Sequence, residues 1–364
     1  MTPPHLATRL SCLRRRIRSW SVDALLVTDS RDVRYLSGFI GDDSWALVRA
    51  GTNHLTVISD SRFEQQVGRE APHVSLALRK GPFSDVLEKL FKRFAIERCA
   101  VQASSMTIAT RAALVRKLGA RRLRPLDDGL LEQRAVKGEQ EIATIRKALR
   151  CQQDAYRALL GELQPGLSEG ELAGRLEMHM RRLGAEGAGF PSIVAVGANA
   201  SLPHATPGRT KVKRGDIVLV DWGARYDGYC SDLTRVVAVG RMPRRIAEIY
   251  RVVLDAQLAA IDAIRPGASL TEVDAVARRV IDRAGYAEYF GHGLGHGIGL
   301  DIHEQPVLSP RAKGILQPGH VVTVEPGIYL PGVGGVRIED DVLLTPRGAR
   351  VLSDLPKDLA SAII

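Results

Sequence analysis

Apolar and polar residues alternate with two different periods over the first third of the chain. Short apolar runs typical of strands are separated by segments whose apolar residues recur every three or four positions, which is typical of amphipathic helices. The predicted strands are ALLVT, SWALV, HLTVI, VSLAL and CAVQA, and the predicted helices are LATRLSCLRRRIRSW, DVLEKLFKRFA and TRAALVRKLG. This alternation predicts an α/β domain with a mixed sheet.

The pattern changes between Glu132 and Gly138. The segment KGEQEIATIRKALRCQQDAYRALLGEL that follows has apolar residues at helical spacing and is closed by Pro165-Gly166. Two further predicted helices, ELAGRLEMHMRRLG and LTEVDAVARRVIDRAG, each end at a glycine. We therefore divide the chain into a first domain, residues 1–133, and a second domain, residues 134–364.

The second domain contains a faint internal repeat. A Pro-Gly, Ser, Glu, Gly series recurs at constant spacing, and the matched positions are Pro165-Gly166, Ser168, Glu171 and Gly184 with Pro266-Gly267, Ser269, Glu272 and Gly285. Two copies of a helix-then-hairpin unit would face each other, and each would give two carboxylates to one central site.

A tight hairpin is predicted at Asp227-Gly228, because this dipeptide is a strong signal for a two-residue turn. Such a turn pairs Asp221 with Thr234 and Asp232 with Gly223. The carboxylates of Asp221 and Asp232 then become diagonal neighbours on one face of the sheet. A register shifted by one residue would move Asp232 to the other face.

A second hairpin, centred on Gly332 in a Gly/Pro-rich loop, sets Glu325 opposite Glu339. Because side chains alternate along a strand, Arg337 falls on the same face as Glu339. The apolar residues on either side of Arg337, Val336 and Ile338, turn into the core.

The candidate chemistry rests on five ligand-type residues in this domain: Asp221, Asp232, His296, Glu325 and Glu339. Carboxylates and an imidazole suit a hard or borderline divalent cation, and four carboxylates could offset the charge of two such ions. The sequence therefore predicts a paired-metal hydrolase.

Histidines 292 and 303 flank the candidate ligand His296. An i,i+4 pair of histidines would share a helix face, but glycines at 291, 293, 295, 297 and 299 disfavour a helix. A loop or bulged strand that lets a substrate backbone approach is predicted instead.

Composition agrees with a globular enzyme of 364 residues, with 45% apolar and 25% charged residues. No apolar run approaches the roughly 20 residues that span a bilayer. The four scattered cysteines predict neither a zinc cage nor a disulfide framework.

Residues 1–134 hold 23 Lys/Arg against 14 Asp/Glu, but these cations are dispersed and few aromatics accompany them. A solvated basic surface is expected rather than nucleic-acid or membrane binding, in a cytoplasmic protein.

Residues 133–345 resemble the catalytic domain of the pita-bread metallopeptidases, which include methionine aminopeptidase, Xaa-Pro aminopeptidase, prolidase and creatinase. The N-terminal segment resembles the creatinase/prolidase-type N-terminal domain. The resemblance implies an α/β N-terminal domain followed by an α+β pita-bread catalytic domain with an internal pseudo-twofold repeat. It also implies that Asp232 and Glu339 bridge two metal ions, that Asp221 binds one, and that His296 and Glu325 bind the other.

The upstream His292 and the VRIEDD hairpin make the match closer to Xaa-Pro aminopeptidases and prolidases than to methionine aminopeptidases. In those enzymes, positions that match His204, His292, His303 and Arg337 serve the active site. The resemblance implies that Glu325 also moves a proton, and that His204 and His303 stabilise the reacting carbonyl. Tyr329 is equally well explained as structural support or as a site residue.

The expected function is that of a dinuclear-metal Xaa-Pro aminopeptidase, which acts on peptides with proline in second position. The alternatives are an Xaa-Pro dipeptidase (prolidase) and a creatinase-like hydrolase of another small C–N substrate. A non-catalytic peptide-binding relative is disfavoured by the intact ligand set. The resemblance suggests Mn²⁺, with Co²⁺ or Zn²⁺ as alternatives, and a homodimer.

Overall fold

The computed structural model describes residues 2–127 and 129–364. The chain forms two compact units, Met1–Gln133 and Arg134–Ile364. Across the described residues, no helix combines the length and the apolar character that crossing a membrane requires.

The first unit is built on a six-stranded sheet. Its helices are α1 (Pro4–Ser19), α2 (Ser30–Ser37), α3 (Glu64–Glu70), α4 (Phe83–Arg93), α5 (Ile108–Leu118) and α6 (Leu130–Ala135), the last of which spans the boundary. Its strands are β1 (Ala24–Val27), β2 (Trp45–Arg49), β3 (Leu55–Ser59), β4 (Ser75–Leu78), β5 (Cys99–Gln102) and β6 (Leu123–Leu126).

The order of this sheet is β4-β3-β2-β1-β5-β6. Strand β1 is antiparallel to β2 and parallel to β5, which confirms the predicted mixed sheet. The five predicted strands and the three predicted helices are present. Strand β6 was not predicted, and its Pro125 is tolerated because β6 lies at the edge of the sheet.

The second unit contains four long helices and thirteen short strands among its described residues. The helices are α7 (Glu139–Glu162), α8 (Glu169–Arg182), α9 (Arg244–Ala263) and α10 (Leu270–Arg283). The strands are β7 (Gly187–Ala188), β8 (Ile193–Val196), β9 (Ile217–Trp222), β10 (Ala224–Tyr226), β11 (Tyr229–Cys230), β12 (Leu233–Ala238), β13 (Gly295–Gly297), β14 (Glu304–Leu308), β15 (Val321–Val324), β16 (Gly327–Leu330), β17 (Gly334–Arg337), β18 (Asp340–Thr345) and β19 (Gly348–Val351).

Helix α9 is the long element that the sequence interpretation missed. It buries Ile246, Ile249, Val253 and Ala260 in the core of the unit, against apolar residues of the sheets. Helices α7 and α8 pack together, as do α9 and α10. Each copy of the repeat therefore contains a pair of helices before its hairpin; both helices of the first copy were predicted, whereas only α10 was predicted in the second.

The first predicted hairpin has the expected register. Asp227 and Gly228 both have positive φ, 44° and 72°, as a two-residue turn of this kind requires. Tyr226 pairs with Tyr229 beside the turn, and Asp221 pairs with Thr234 farther along, which confirms the predicted pairing.

The second predicted hairpin is split between two strand pairs that keep one register. Gly327 pairs with Arg337 in β16 and β17, and Val324 pairs with Asp340 in β15 and β18. The positions between these pairs place Glu325 opposite Glu339, as predicted. Val336 and Ile338 are fully buried in the core, which confirms the predicted alternation.

Candidate metal centre and active site

All nine predicted site residues line a single cavity of about 440 Å³ in the second unit. The five ligand-type residues reach it from the two hairpins and from β13. The others come from the loop after β8, from the loop before β13, from the loop before β14 and from β17. The nine residues are His204, Asp221, Asp232, His292, His296, His303, Glu325, Arg337 and Glu339.

Three of the ligand-type residues converge closely. Asp232, His296 and Glu339 each offer one ligand atom, and these three atoms lie within 4.8 Å of one another. They come from different elements, namely the residue before β12, strand β13 and the residue before β18. The fold therefore assembles the cluster from sequence-distant segments.

Unsatisfied carboxylate oxygens indicate that a cation fits this cluster. The Oδ1 atoms of Asp221 and Asp232 are buried and have no hydrogen-bond partner among the described residues. An isolated buried carboxylate is strongly unfavourable unless it is paired or coordinates a metal. Hard oxygen donors beside one imidazole match the preferences of a divalent ion.

The protonation behaviour of the cluster reflects crowding of like charges in a buried space. Burial raises the pKa of Asp232 and of Glu339 well above the usual range, and neighbouring carboxylates raise both pKa values further. Burial also raises the pKa of Asp221, although Arg337 acts in the opposite direction. Bound divalent cations would remove this penalty by supplying the missing positive charge.

Glu325 differs from the other carboxylates of the cluster. Burial opposes its ionisation, but the hydrogen bond and the charge of His296 hold the pKa of Glu325 at about 2. The His296 Nε2 atom lies 3.3 Å from Glu325 Oε1 and 3.7 Å from Asp232 Oδ2. Glu325 is therefore the carboxylate most readily kept anionic.

His296 is oriented by the backbone. Its Nδ1 atom lies 3.1 Å from the carbonyl oxygen of Gly297, which leaves Nε2 directed at the carboxylates. Such a contact on one ring nitrogen fixes the tautomer that binds a metal through the other.

Two threonines hold the glutamates, and sequence reasoning did not identify either as a site residue. Thr234 donates to Glu339 Oε2 at 2.6 Å, and Thr323 donates to Glu325 Oε1 at 3.0 Å. The Thr323 hydroxyl also accepts from the His296 backbone N–H at 3.0 Å. Their strand positions could have identified both threonines. Thr323 lies two residues before Glu325, on the same face of the strand, and Thr234 pairs with Asp221.

The glycines around His296 are required by neighbouring strands. A Cβ atom on Gly295 would lie 2.0 Å from the Thr323 carbonyl oxygen, and one on Gly297 would lie 2.2 Å from the Gln305 carbonyl oxygen. The ladder shifts register between His296 and Gly297, so of the two predicted alternatives, a loop or a bulged strand, the bulged strand is observed. The space that a side chain would need at these two glycines is thus filled by the protein itself rather than kept open for a substrate backbone. Gly295 also borders the cavity.

His292 is tied to Tyr329 and the backbone. Its Nδ1 atom lies 2.7 Å from the Gly293 carbonyl oxygen, and its Nε2 atom lies 2.9 Å from the Tyr329 hydroxyl. Tyr329 in turn accepts from Arg337 Nη1 at 2.7 Å. Burial lowers the pKa of His292, which agrees with a neutral ring that donates from Nδ1 and accepts at Nε2. Tyr329 therefore links two of the predicted site residues.

Arg337 is buried, and its guanidinium donates hydrogen bonds to several residues of the site. Its Nη2 atom donates to Asp221 Oδ2 at 2.5 Å, and its Nε atom donates to the Thr234 hydroxyl at 3.1 Å. This arginine is thus paired with a candidate metal ligand. Because Thr234 donates to Glu339, the contacts of Arg337 organise one ligand on each hairpin.

His303 and His204 also face the cavity, but their side chains make fewer polar contacts than those of His292 and Arg337. The His303 ring lies 4.3 Å from the His296 ring in an edge-to-face arrangement. Burial, and then the charge of His296, lower the pKa of His303. His204 lines the cavity from an exposed loop. Both rings are available to a bound molecule.

A buried ion cluster holds the loop that carries His303. Glu304 is bonded to Arg134 and lies 3.1 Å from Lys137 Nζ, and all three side chains are almost completely buried. The Glu304 carboxylate also accepts from the Asp301 backbone N–H. Two residues from the start of the second unit therefore fix the loop beside the cavity.

Apart from Gly293 and Gly295, the remainder of the cavity wall consists of apolar residues that were not predicted from the sequence. They are Phe190, Ile193, Pro203, Ile302 and Val307. An apolar wall beside a polar cluster can receive a nonpolar group of a substrate next to the reacting bond.

Comparisons with known proteins agree along the chain. Residues 143–346 match the model of "Metallopeptidase family M24", and residues 9–136 match that of the "Creatinase/Prolidase N-terminal domain". An Xaa-Pro dipeptidase from Pyrococcus horikoshii is 35% identical over 339 residues, which cover 93% of this chain and 95% of that protein.

Solved structures show the same fold. The Xaa-Pro dipeptidase from Bacillus anthracis has a TM-score of 0.94 at 36% identity, over 99% of this chain and 100% of that one. The X-Pro aminopeptidase from Thermotoga maritima has a TM-score of 0.89 at 36% identity, over 96% of this chain and 100% of that one. The expected fold class, an α/β N-terminal domain followed by a pita-bread catalytic domain, is confirmed.

Proposed function

Because the chain belongs to metallopeptidase family M24, we propose that it is an exopeptidase that hydrolyses the bond between an N-terminal residue and a following proline. The observation that carries this proposal is the convergence of five ligand-type residues, three histidines and Arg337 on one cavity. The names of the similar proteins, Xaa-Pro dipeptidase and X-Pro aminopeptidase, support proline as the second residue of the substrate.

Two divalent ions would be held by the five ligand-type residues, with Asp232 and Glu339 shared between them. Bound there, the ions would supply Lewis acidity and a water of lowered pKa. We propose Mn²⁺, with Co²⁺ or Zn²⁺ as alternatives, because oxygen donors dominate the set.

The side chains around the cluster would handle the proton and the carbonyl. The hydrogen bond and the charge of His296 lower the pKa of Glu325 and keep it anionic, and we assign Glu325 to move a proton between a water and the leaving nitrogen. His303 faces the cavity without a ligand role, and we assign it to donate to the oxygen of the carbonyl under attack.

The apolar wall suits a proline ring. The nitrogen of an Xaa–Pro bond carries no N–H, so the site needs no acceptor for it. Phe190, Ile193 and Val307 offer nonpolar surface beside the cluster. A ring would be favoured there over a small alanine side chain because it buries more apolar surface.

Arg337 bears on the choice between an aminopeptidase and a dipeptidase. A dipeptidase must accommodate the free α-carboxylate of the proline itself. Among the described residues that line the cavity, Arg337 is the only arginine or lysine, and it is already bonded to Asp221, Thr234 and Tyr329. We therefore propose an Xaa-Pro aminopeptidase. An Xaa-Pro dipeptidase is the second candidate, and the names of two similar proteins favour it.

Three peptides given to the Mn²⁺-loaded protein would test the proposal, namely Arg-Pro-Pro, Arg-Pro and Arg-Ala-Pro. An aminopeptidase releases arginine from Arg-Pro-Pro at least as fast as from Arg-Pro. A dipeptidase cleaves only Arg-Pro. Cleavage of Arg-Ala-Pro at a comparable rate would remove the proline preference, and no cleavage of any peptide would favour a hydrolase of another C–N bond.

A further inference from the structure

No hydrogen bond from a described residue sets the orientation of the His204 ring. The residue is exposed, and its ring makes no hydrogen bond with any residue that the structure describes. It nevertheless lines the cavity, from the loop that follows β8. The backbone of that loop therefore determines where the His204 side chain starts and which part of the cavity its ring can reach.

One buried carboxylate fastens this loop on both sides of His204. Glu169, the first residue of α8, is 2% exposed. Its Oε1 atom accepts from the Asn199 side-chain amide and from the Val196 backbone N–H, both at 2.8 Å. Its Oε2 atom accepts from the Gly208 backbone N–H at 2.9 Å. Segment 199–208 is thereby closed into a loop whose two ends meet at a single side chain.

Backbone contacts of α8 reinforce the closure. The Glu169 N–H donates to the Thr210 carbonyl oxygen at 3.0 Å, and the Gly170 N–H donates to the Gly208 carbonyl oxygen at 3.0 Å. The Asn199 amide also donates to the Thr210 hydroxyl at 3.0 Å. The end of the loop after His204 is thus held rigidly against the helix, and Glu169 connects the other end to it.

A simple helix-stabilising role does not account for Glu169. Acidic residues in the first turn favour a helix through its dipole, and a capping box satisfies its first backbone donors. In α8 that box is already formed by Ser168 and Glu171. The Glu169 carboxylate instead accepts hydrogen bonds from three donors outside the helix.

We propose that Glu169 is a positioning residue that sets His204 toward the substrate. This inference rests on the proposed peptidase function, in which the cavity that His204 lines would receive the substrate. Glu169 itself would touch neither the substrate nor a metal ion. Its effect on hydrolysis should therefore exist only while the His204 ring is present.

A double-mutant cycle tests this dependence. The variants are Glu169→Gln, His204→Ala and the double variant, with Glu171→Gln as the matched control at the same helix end. Glutamine keeps the volume of Glu169 but offers only one acceptor oxygen, so part of the closure is lost. We expect Glu169→Gln to lower kcat/KM for Arg-Pro-Pro by about tenfold or more in the natural background and to change it little in His204→Ala.

Limited trypsin cleavage after the exposed Arg209 gives a readout that does not need activity. Glu169→Gln should speed cleavage there, whereas Glu171→Gln should not. An equal loss of kcat/KM in both backgrounds, or an unchanged rate of cleavage after Arg209, would overturn the inference. If the natural protein hydrolyses no Xaa-Pro peptide, the proposed function has failed, and the proteolysis result still decides whether Glu169 holds the loop.

Discussion

The Nη2 atom of Arg337 lies 2.5 Å from Asp221 Oδ2, while Oδ1 of the same carboxylate is buried with no partner among the described residues. The arginine thus occupies one oxygen of a candidate ligand and leaves the other for a metal ion. A guanidinium in this position also offsets part of the negative charge of the cluster when no ion is bound.

Replacement of Arg337 should therefore destabilise the metal-free protein more than the metal-loaded protein. Arg337→Met leaves Asp221 without its cation, and the loss of one partner from a buried ion pair costs about 3–5 kcal/mol. We expect a loss of this order in urea unfolding with chelator, and a smaller loss when Mn²⁺ is bound. Equal destabilisation in both conditions would contradict an electrostatic role for Arg337.

Removal of a shared ligand should empty the site. Asp232→Ala removes one of the three residues whose ligand atoms cluster within 4.8 Å. We expect metal content per chain, measured by atomic absorption, to fall together with hydrolysis of Arg-Pro-Pro. Asp255→Ala, on the exposed side of α9, is the control and should leave both unchanged. A fully active, chelator-resistant Asp232→Ala protein would rule out the dinuclear site.

The two histidines of the edge-to-face pair should separate metal binding from turnover. His303→Ala should retain metal and fold but lose on the order of 10²–10³ in kcat, which is typical for removal of one donor to the reacting oxygen. His296→Ala should lose metal first. Metal content and kcat are measured for both variants, and loss of metal from His303→Ala alone would reverse the two assignments.

His320 should make stability depend on pH. Burial, with the charge of Lys137 in addition, lowers the pKa of His320 from 6.5 to about 4. The unfolded chain binds this proton at higher pH than the folded protein, so the stabilisation is complete above about pH 6.5 and is lost as the pH falls toward 4.

A variant isolates this contribution. His320 accepts from the Gln317 backbone N–H through Nδ1, and the side-chain oxygen of asparagine can replace that acceptor. Between pH 7 and pH 5 the natural protein should lose about 2 kcal/mol more of its free energy of unfolding than His320→Asn. Parallel pH profiles in urea unfolding would contradict the assignment.

Local chemistry explains why much of the centre could be predicted from the sequence. The turn at Asp227-Gly228 determines the register by itself, and with it the pairing of Asp221. Side-chain alternation then gives the faces of Arg337 and Glu339. These predictions needed no knowledge of distant contacts.

Other features depend on tertiary contacts. In the sequence, the spacing of Ser168 and Glu171 indicates a capping box, but nothing local distinguishes Glu169, and only the fold buries its carboxylate. The bond between His292 and Tyr329 joins residues far apart in the chain. Helix α9 is a different case, because its apolar residues recur at helical spacing and the pattern could have identified it.

The ion cluster of Glu304, Arg134 and Lys137 determines where the catalytic unit can be cut from the chain. The match to the peptidase family model begins at residue 143, after both cations. A fragment that starts there would bury Glu304 with neither partner, and the loop that presents His303 would lose its anchor. An autonomous catalytic fragment must therefore begin at or before Arg134.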